Sequence, residues 1–322
     1  MRVLVVGAGI IGSIYGWALA ESGHHVVHLV RSGRAAALGG GLKLDVFDRR
    51  KGHKRNFRGL YKLEAVETLL PDASFELVIV PVKHYALLQT LKEIVPRLGD
   101  AEFLFLTQNW RGTEEIDAFL PRPRYIYGDA KAGGMFSGST LVAALKAIDI
   151  GSPEGEPTAL AKKAADLFAS AGIQTRLHSN MLHYLWVQYA MTAGPWAALV
   201  HAGSFEAMLN NTDASSAALK AGCECLQVVQ RRGIDLSRYP ETSPFLTNSA
   251  LRGRINVWFM RRMFRHDEYT KRCSAHALGD PVEIKTFYDD LIAAGHDLGV
   301  SMPVMESYAE PIRRFWENSV AI

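Results

Sequence analysis

The chain has 322 residues, 48% hydrophobic and 21% charged, which suits a globular protein of about two domains at roughly 100–200 residues each. Lys and Arg number 36 against 33 for Asp and Glu, a formal charge of +3, too small an excess for nucleic acid as the main partner. Cys223, Cys225 and Cys273 are sparse, odd in number and without zinc-site spacing, which excludes a disulfide scaffold and fits a reducing, cytoplasmic compartment.

In chain order, Met1-Arg2-Val3-Leu4-Val5-Val6 reads as a buried strand and not as a secretory signal. Gly7-Ala8-Gly9-Ile10-Ile11-Gly12 follows, then a helix over about 10–22 that stops at Gly23, then a second apolar run over 25–30. Strand, glycine turn, helix and strand in sequence is the setting in which G-x-G-x-x-G is informative. Gly7 permits the tight turn, Gly9 lets a pyrophosphate approach bare backbone, and Gly12 lets helix and strand pack closely. The backbone N–H groups at the start of the helix, where Ile10 and Ile11 stand, carry the positive end of the helix dipole toward the phosphates.

The end of the second strand bears on which nucleotide binds. An NAD site places Asp or Glu about 20 residues after the glycines, on the ribose hydroxyls. Here the chain reads Val30-Arg31-Ser32-Gly33-Arg34, without an acid. Arg31, with Arg34 beside it, suits the 2′-phosphate of NADP(H), which guanidinium groups grip in bidentate fashion. A further strand over 76–82 leads through Lys83 into a helix over about 85–98, and another over 102–107 ends at Gln108-Asn109. Ligands of open parallel sheets lie beyond the carboxyl ends of the strands, where Lys83 and Asn109 fall. Residues 125–127 and 173–176 read as strands and 156–171 as a helix; the small-residue stretch 132–139 reads as a loop or hairpin near the cofactor cleft.

After Ser179 the pattern is helical, over 180–200, 213–231, 252–264 and 281–298, with no period-two strand. The expectation is an α/β Rossmann-type dinucleotide-binding domain over 1–178 and an all-α substrate and dimerisation domain over 179–322, the substrate lying between them. No run reaches the ~18 apolar residues of a membrane span; the nearest, 189–200, is interrupted by Thr192, Gly194 and Pro195. Cys223 and Cys225 fall on different helix faces, as small buried hydrophobes. Arg252, Arg254, Arg261, Arg262 and Arg265 read as a solvated helix face, with an anion patch or the contact of a homodimer as the alternative.

Gly7-x-Gly9-x-x-Gly12, Arg31, Val82-Lys83 and Gln108-Asn109, with Pro281-Val282-Glu283-Ile284 opening a helix that ends in Leu298-Gly299-Val300-Ser301-Met302-Pro303, together resemble the ketopantoate reductase (2-dehydropantoate 2-reductase) family. The resemblance spans nearly the whole chain. It implies an NADPH-dependent oxidoreductase that turns a 2-oxo acid into a 2-hydroxy acid on the route to pantothenate. Negative charge grows on the carbonyl oxygen as hydride arrives, so a cation or acid must stabilise and protonate that oxygen. The family uses a lysine in the first helix of its second domain, supported by a glutamate late in that domain. Lys83 and Asn109, which would flank the cofactor, and Glu283 match the family. At the catalytic lysine stands Gln188, within Leu185-Trp186-Val187-Gln188-Tyr189-Ala190, and no lysine occurs between Lys163 and Lys220. Thr192 and Trp196 take the places of family asparagines, Lys271 falls near the family's serine, and Trp110 replaces the glycine after Gln108-Asn109.

Gln188 can donate a hydrogen bond to a carbonyl oxygen but cannot surrender a proton at pH 7. Losing a positioned general acid costs on the order of 10²–10⁴ in rate. Lys83, His183, Tyr184, Tyr189 and Lys271 are the candidate substitutes; Tyr184, four residues before Gln188, shares its helix face, and His183 is turned away. The indoles of Trp110 and Trp196 suggest a pocket shaped for something bulkier or less polar than ketopantoate. Three readings follow: a reductase of a 2-oxo acid or related carbonyl, a reductase of a bulkier ketone or imine, and an NADP(H)-binding protein without turnover. All three take a small-molecule partner and need no metal, membrane or nucleic acid.

Overall fold

In the strand β1 (Arg2–Val6) the side chains of Val3, Leu4 and Val5 are wholly buried, as a central parallel strand covered on both faces requires. The computed structural model describes residues 1–53, 55–70, 73–247 and 250–320. After β1 come α1 (Ile10–Glu21), β2 (His25–Leu29), α2 (Arg34–Leu38), β3 (Leu42–Asp48), β4 (Arg55–Tyr61), β5 (Glu64–Val66), β6 (Leu77–Val80) and α3 (His84–Ile94). Then follow β7 (Phe103–Phe105), α4 (Glu114–Asp117), β8 (Tyr125–Ser137), β9 (Thr140–Gly151), α5 (Ala159–Ser170) and β10 (Gln174–His178). The strands form one ten-stranded sheet in the order β4-β3-β9-β8-β7-β6-β1-β2-β5, with β10 paired to β9. From β5 to β8 the neighbours are parallel; β9 runs against β8, and β4 against β3. Val3, Val5, Leu77, Ile79, Leu104 and Ile126 of the sheet share one core with Ile14 and Ala18 of α1 and Phe168 of α5.

This is the expected Rossmann-type α/β unit, enlarged by two hairpins. The stretch 132–139 is mostly strand: β8 continues to Ser137 and turns tightly into β9. Its glycines, which look like strand breakers, serve close backbone approach. A Cβ on Gly134 would stand 2.3 Å from the Val142 carbonyl oxygen, and one on Gly133 would stand 2.9 Å from the backbone of Cys273. After β3, the wholly buried guanidinium of Arg50 donates to both oxygens of buried Asp48, to Glu21, and to the carbonyls of Ala18 and Ala171. It also lies over the Trp17 ring at 4.6 Å. His53 brings a ring nitrogen near the Glu21 and Asp48 carboxylates, but Arg50 and Arg55 already occupy those oxygens.

The chain divides into two units, Met1–Leu182 with Arg272–Ala275, and His183–Lys271 with His276–Ile322. The second is helical: α6 (Met181–Ala202, its first two residues in the first unit), α7 (Phe205–Asn210), α8 (Thr212–Arg231) and α9 (Ala250–His266). They are followed by α10 (Glu268–Ser274, its last three residues in the first unit), α11 (Pro281–Asp297), α12 (Pro303–Glu306) and α13 (Ala309–Val320). Gly194 of α6 meets the backbone of Gly222 in α8, where an added Cβ would stand 2.4 Å from its nitrogen. The carboxylate of Glu224, buried in α8, accepts the N–H groups of Val304 (3.0 Å) and Met305 (2.9 Å), orphan donors at the start of α12. No helix among the described residues is long and apolar enough to cross a membrane. All three cysteines are free, and Cys225 is wholly buried.

Candidate active site

The glycine turn is built as its spacing requires. Gly7 sits at φ +93°, a left-handed conformation that favours glycine, and donates its N–H to the Leu29 carbonyl at 2.7 Å. Gly9 caps α1, and a Cβ there would meet nothing within 4 Å, so its backbone opens onto free space. Gly12 is the packing glycine: its Cβ would stand 2.9 Å from Val5 and 3.1 Å from Pro81. Gly7 and Gly9 line a cavity of about 760 Å³ together with Arg31, Arg34, Glu67 and Phe136. A bare-backbone turn and two arginines lining one cavity fit a dinucleotide with its phosphates. Among the described residues the wall does not include Ile10, Ile11, Gly12, Lys83 or Asn109. The side chains of Ile10 and Ile11 pack against the sheet core, which leaves only their backbone to face a ligand.

Glu67 corrects the expectation of an acid-free site. It follows β5, the strand beside β2, and so reaches the same wall as Arg31. Its carboxylate accepts the Ala35 N–H at 2.9 Å, at the start of α2. The sequence distance between Arg31 and Glu67 hides this neighbour, because the β3–β4 hairpin is inserted between them.

Lys83 and Asn109 stand just past the ends of β6 and β7. Lys83 is half-buried as the N-cap residue of α3. Buried Asn109 is engaged by its own loop: Nδ2 donates to the Gly112 carbonyl and to the Tyr127 hydroxyl (3.1 Å), while Oδ1 accepts the Arg111 N–H at 2.9 Å. Beside it, Gln108 donates to Asp129 at 2.9 Å. Asp129 belongs to a cluster that sequence reading missed, in which Lys131 bridges Asp129 and Asp149. Burial works to raise the Asp149 carboxyl, but hydrogen bonds from His178 and Arg176 and the charges of Lys131 and Arg176 outweigh it. They hold that carboxyl well below the usual carboxylate range. The available signal was Asp-x-Lys inside an otherwise apolar strand.

In the helical unit, Gln188 donates from Nε2 to Glu241 at 3.2 Å, a partner 53 residues away in a short 3₁₀ turn. Tyr184 is buried on the same face with its ring 6.4 Å from that of Tyr239. Tyr189 is not placed as a proton donor: wholly buried, it donates to Asp290 at 2.8 Å and packs on Phe287 at 4.0 Å. His183 stacks on Trp186, and Lys271 is exposed. The two indoles are used in packing. Trp110 is buried in the first unit, and Trp196 stacks on Phe287 at 5.5 Å with His276 at its edge. Thr192 turns its hydroxyl back to the Gln188 carbonyl at 2.8 Å. Glu283 is buried in the first turn of α11, its N–H taken by the N-cap Asp280 at 3.0 Å.

A parallel-centred sheet with an open glycine turn at its first strand, followed by an all-helical unit, defines a Rossmann-type α/β fold with a helical second unit. The sequence model described as "Ketopantoate reductase PanE/ApbA" matches residues 3–154, and that stretch is a ketopantoate reductase family domain. The 2-dehydropantoate 2-reductase of Aquifex aeolicus (strain VF5) is 28% identical over 201 residues, 58% of each chain. That of Pyrococcus abyssi (strain GE5 / Orsay) is 27% identical over 199 residues, 58% of this chain and 60% of its own. The match thus spans about three-fifths of the length of these curated relatives. Among solved structures, the ternary structure of D-mandelate dehydrogenase with NADH and anilino(oxo)acetate superposes with a TM-score of 0.76 at 18% identity, covering 99% of both chains. At that identity the likeness is one of fold.

Proposed function

We propose that the chain is an NADP(H)-dependent reductase of a 2-oxo acid or a related carbonyl. The observation that carries the reading is the cavity of about 760 Å³ lined by Gly9, whose missing Cβ would meet nothing within 4 Å, together with Arg31 and Arg34. The nicotinamide, when bound, supplies a hydride to the carbonyl carbon. Gly7 and Gly9 admit the diphosphate, and Arg31 and Arg34 hold the 2′-phosphate. Lys83 and Asn109 stand where ligands of such sheets lie, Asn109 acting by holding its loop in shape. Gln188 offers an N–H in place of the family's lysine, and Glu283 serves substrate binding. The 2-oxo acid class is supported by the name 2-dehydropantoate 2-reductase and by the oxo acid in the D-mandelate dehydrogenase complex.

A second reading, NADH as cofactor, is favoured by Glu67 in the cavity wall and by the NADH of that same complex. Calorimetric titration separates them. NADPH is expected to bind at least tenfold tighter than NADH, about 1.4 kcal/mol, with Arg31→Ala erasing most of the preference. Equal affinities would overturn the choice of NADPH, and tighter NADH binding that is lost in Glu67→Gln would establish the second reading. Assay with NADPH across a panel of 2-oxo acids, bulkier ketones and imines tests turnover; binding without oxidation of cofactor by any of them would leave only a nucleotide-binding protein.

A further inference from the structure

Behind the glycine turn lies a buried histidine that no step of the proposed reaction uses. His28, in β2, is wholly buried, and its Nδ1 lies 2.9 Å from the Gly7 carbonyl oxygen. A carbonyl can only accept, so Nδ1 carries the proton. In the neutral ring that leaves Nε2 as an acceptor, and the Tyr61 hydroxyl stands 3.0 Å from it, at the end of β4. One tautomer satisfies every group in the chain Tyr61–His28–Gly7. The room for the ring comes from α1: a Cβ on Gly16 would stand 2.6 Å from Nε2 and 2.8 Å from Cε1. Gly7 is therefore gripped twice by β2, its N–H on the Leu29 carbonyl at 2.7 Å and its C=O on the His28 ring.

We propose that neutral His28 is a positioning residue that clamps the first glycine of the nucleotide turn, fixing the backbone that the diphosphate of the cofactor meets. The proposal rests on the nucleotide-binding reading above. Gly7 is held at φ +93°, and the hydrogen bond to its carbonyl restrains the peptide that joins Gly7 to Ala8, both residues of the cavity wall. Free of that restraint, the peptide rotates and the turn must be reordered by the ligand, so affinity falls. Asparagine, which can carry an amide N–H where Nδ1 stands, keeps the clamp; leucine, of similar bulk, removes it.

The test compares NADPH affinity in His28→Leu, His28→Asn and Tyr61→Phe, with amide hydrogen exchange of the 7–9 turn and ¹⁵N spectra of the imidazole. His28→Leu is expected to bind at least tenfold more weakly, with faster exchange in the turn. His28→Asn should recover most of the loss, and Tyr61→Phe, which leaves the Gly7 bond intact, should stay within about threefold of the unmutated protein. The imidazole should show the Nδ1–H tautomer. A folded His28→Leu with unchanged affinity and unchanged exchange, or an Nε2–H tautomer, would overturn the clamp. If the unmutated protein bound no nicotinamide nucleotide, the proposed function would fail, and exchange and tautomer would still decide the clamp.

Discussion

Two glycines separate the two units of this molecule. In the α/β unit, Gly9 borders a void: the position of its missing Cβ has no atom within 4 Å. In the helical unit, Gly194 is pressed on the backbone of Gly222, and Gly222 in turn lies under the Phe245 ring, 2.4 Å from where its own Cβ would be. A glycine with nothing beside it keeps space for a molecule still to come, whereas a glycine with its space filled is a packing device. Beside Gly9 the first unit reserves room at its glycine turn, while it fills the space at Gly12, Gly133 and Gly134; in the second unit the α6–α8 contact at Gly194 is filled, and rings pack around Phe287.

Gly9→Val offers the sharpest way to break that contrast. It should fold with little loss of stability, because its methyl groups enter open space at φ −77°, yet lose NADPH binding beyond calorimetric detection. Unchanged affinity in a folded variant would place the nucleotide elsewhere. Arg50→Met should do the converse. Removing the guanidinium leaves the buried Asp48 carboxylate with the backbone N–H of residue 50 (3.1 Å) and Arg55 at 3.8 Å, a loss of about 3–5 kcal/mol readable as a lower midpoint in urea; a change under about 1 kcal/mol would mean that this buried charge is dispensable.

In the helical unit, Gly194→Ala should lose roughly 1–3 kcal/mol to overpacking, despite the gain of about 1 kcal/mol that alanine brings to a helix interior. NADPH affinity should not change, and a stabilised variant would show that α6 and α8 have slack. A smaller effect comes with pH. Burial holds the His28 imidazole below its ordinary value of 6.5, with the Gly7 carbonyl pulling less strongly the other way. The unfolded chain therefore takes up the proton first, so this stability is fully present above about pH 6.5 and falls as pH drops from there through the folded value. Partly exposed His24 shifts in the same direction. The urea midpoint should fall between pH 7.5 and 5.5, and fall less in His28→Asn; identical slopes would remove His28 from the cause.

How legible each unit was in the sequence follows from the range of the interactions that build it. The turn from β1 to β2 is local, and α1 ends at Glu21, one residue before its expected limit at Ser22. Strand β4 was invisible because its side chains are mostly exposed and its pattern is polar, Arg55-Asn-Phe-Arg-Gly-Leu-Tyr61, with no buried face to give a period. Without that hairpin, Glu67 could not be placed beside Arg31. In the helical unit the four long helices were legible from periodicity, but their partners were not. Glu241 reaches Gln188 across 53 residues and Asp290 reaches Tyr189 across 101, separations that no local pattern carries. Trp110 and Trp196 read as pocket walls by substitution alone; the sequence does not show that Trp110 is buried or that half-buried Trp196 stacks on Phe287.

Glu224 ties the birth of this chain to its end. Its carboxylate receives N–H groups that lie 80 and 81 residues further on, so during synthesis α8 is complete long before its acceptors have anything to accept. Until Val304 and Met305 leave the ribosome, this carboxylate must stay in water, and the site it will fill cannot close. Contacts of such sequence separation form only after a long loop has been closed, and they slow folding accordingly. The last helices are thus not an ornament that a shortened chain could shed: a chain stopped before Pro303 would retain an acid with no donor to enter the core with, and the helical unit would have to fold around water.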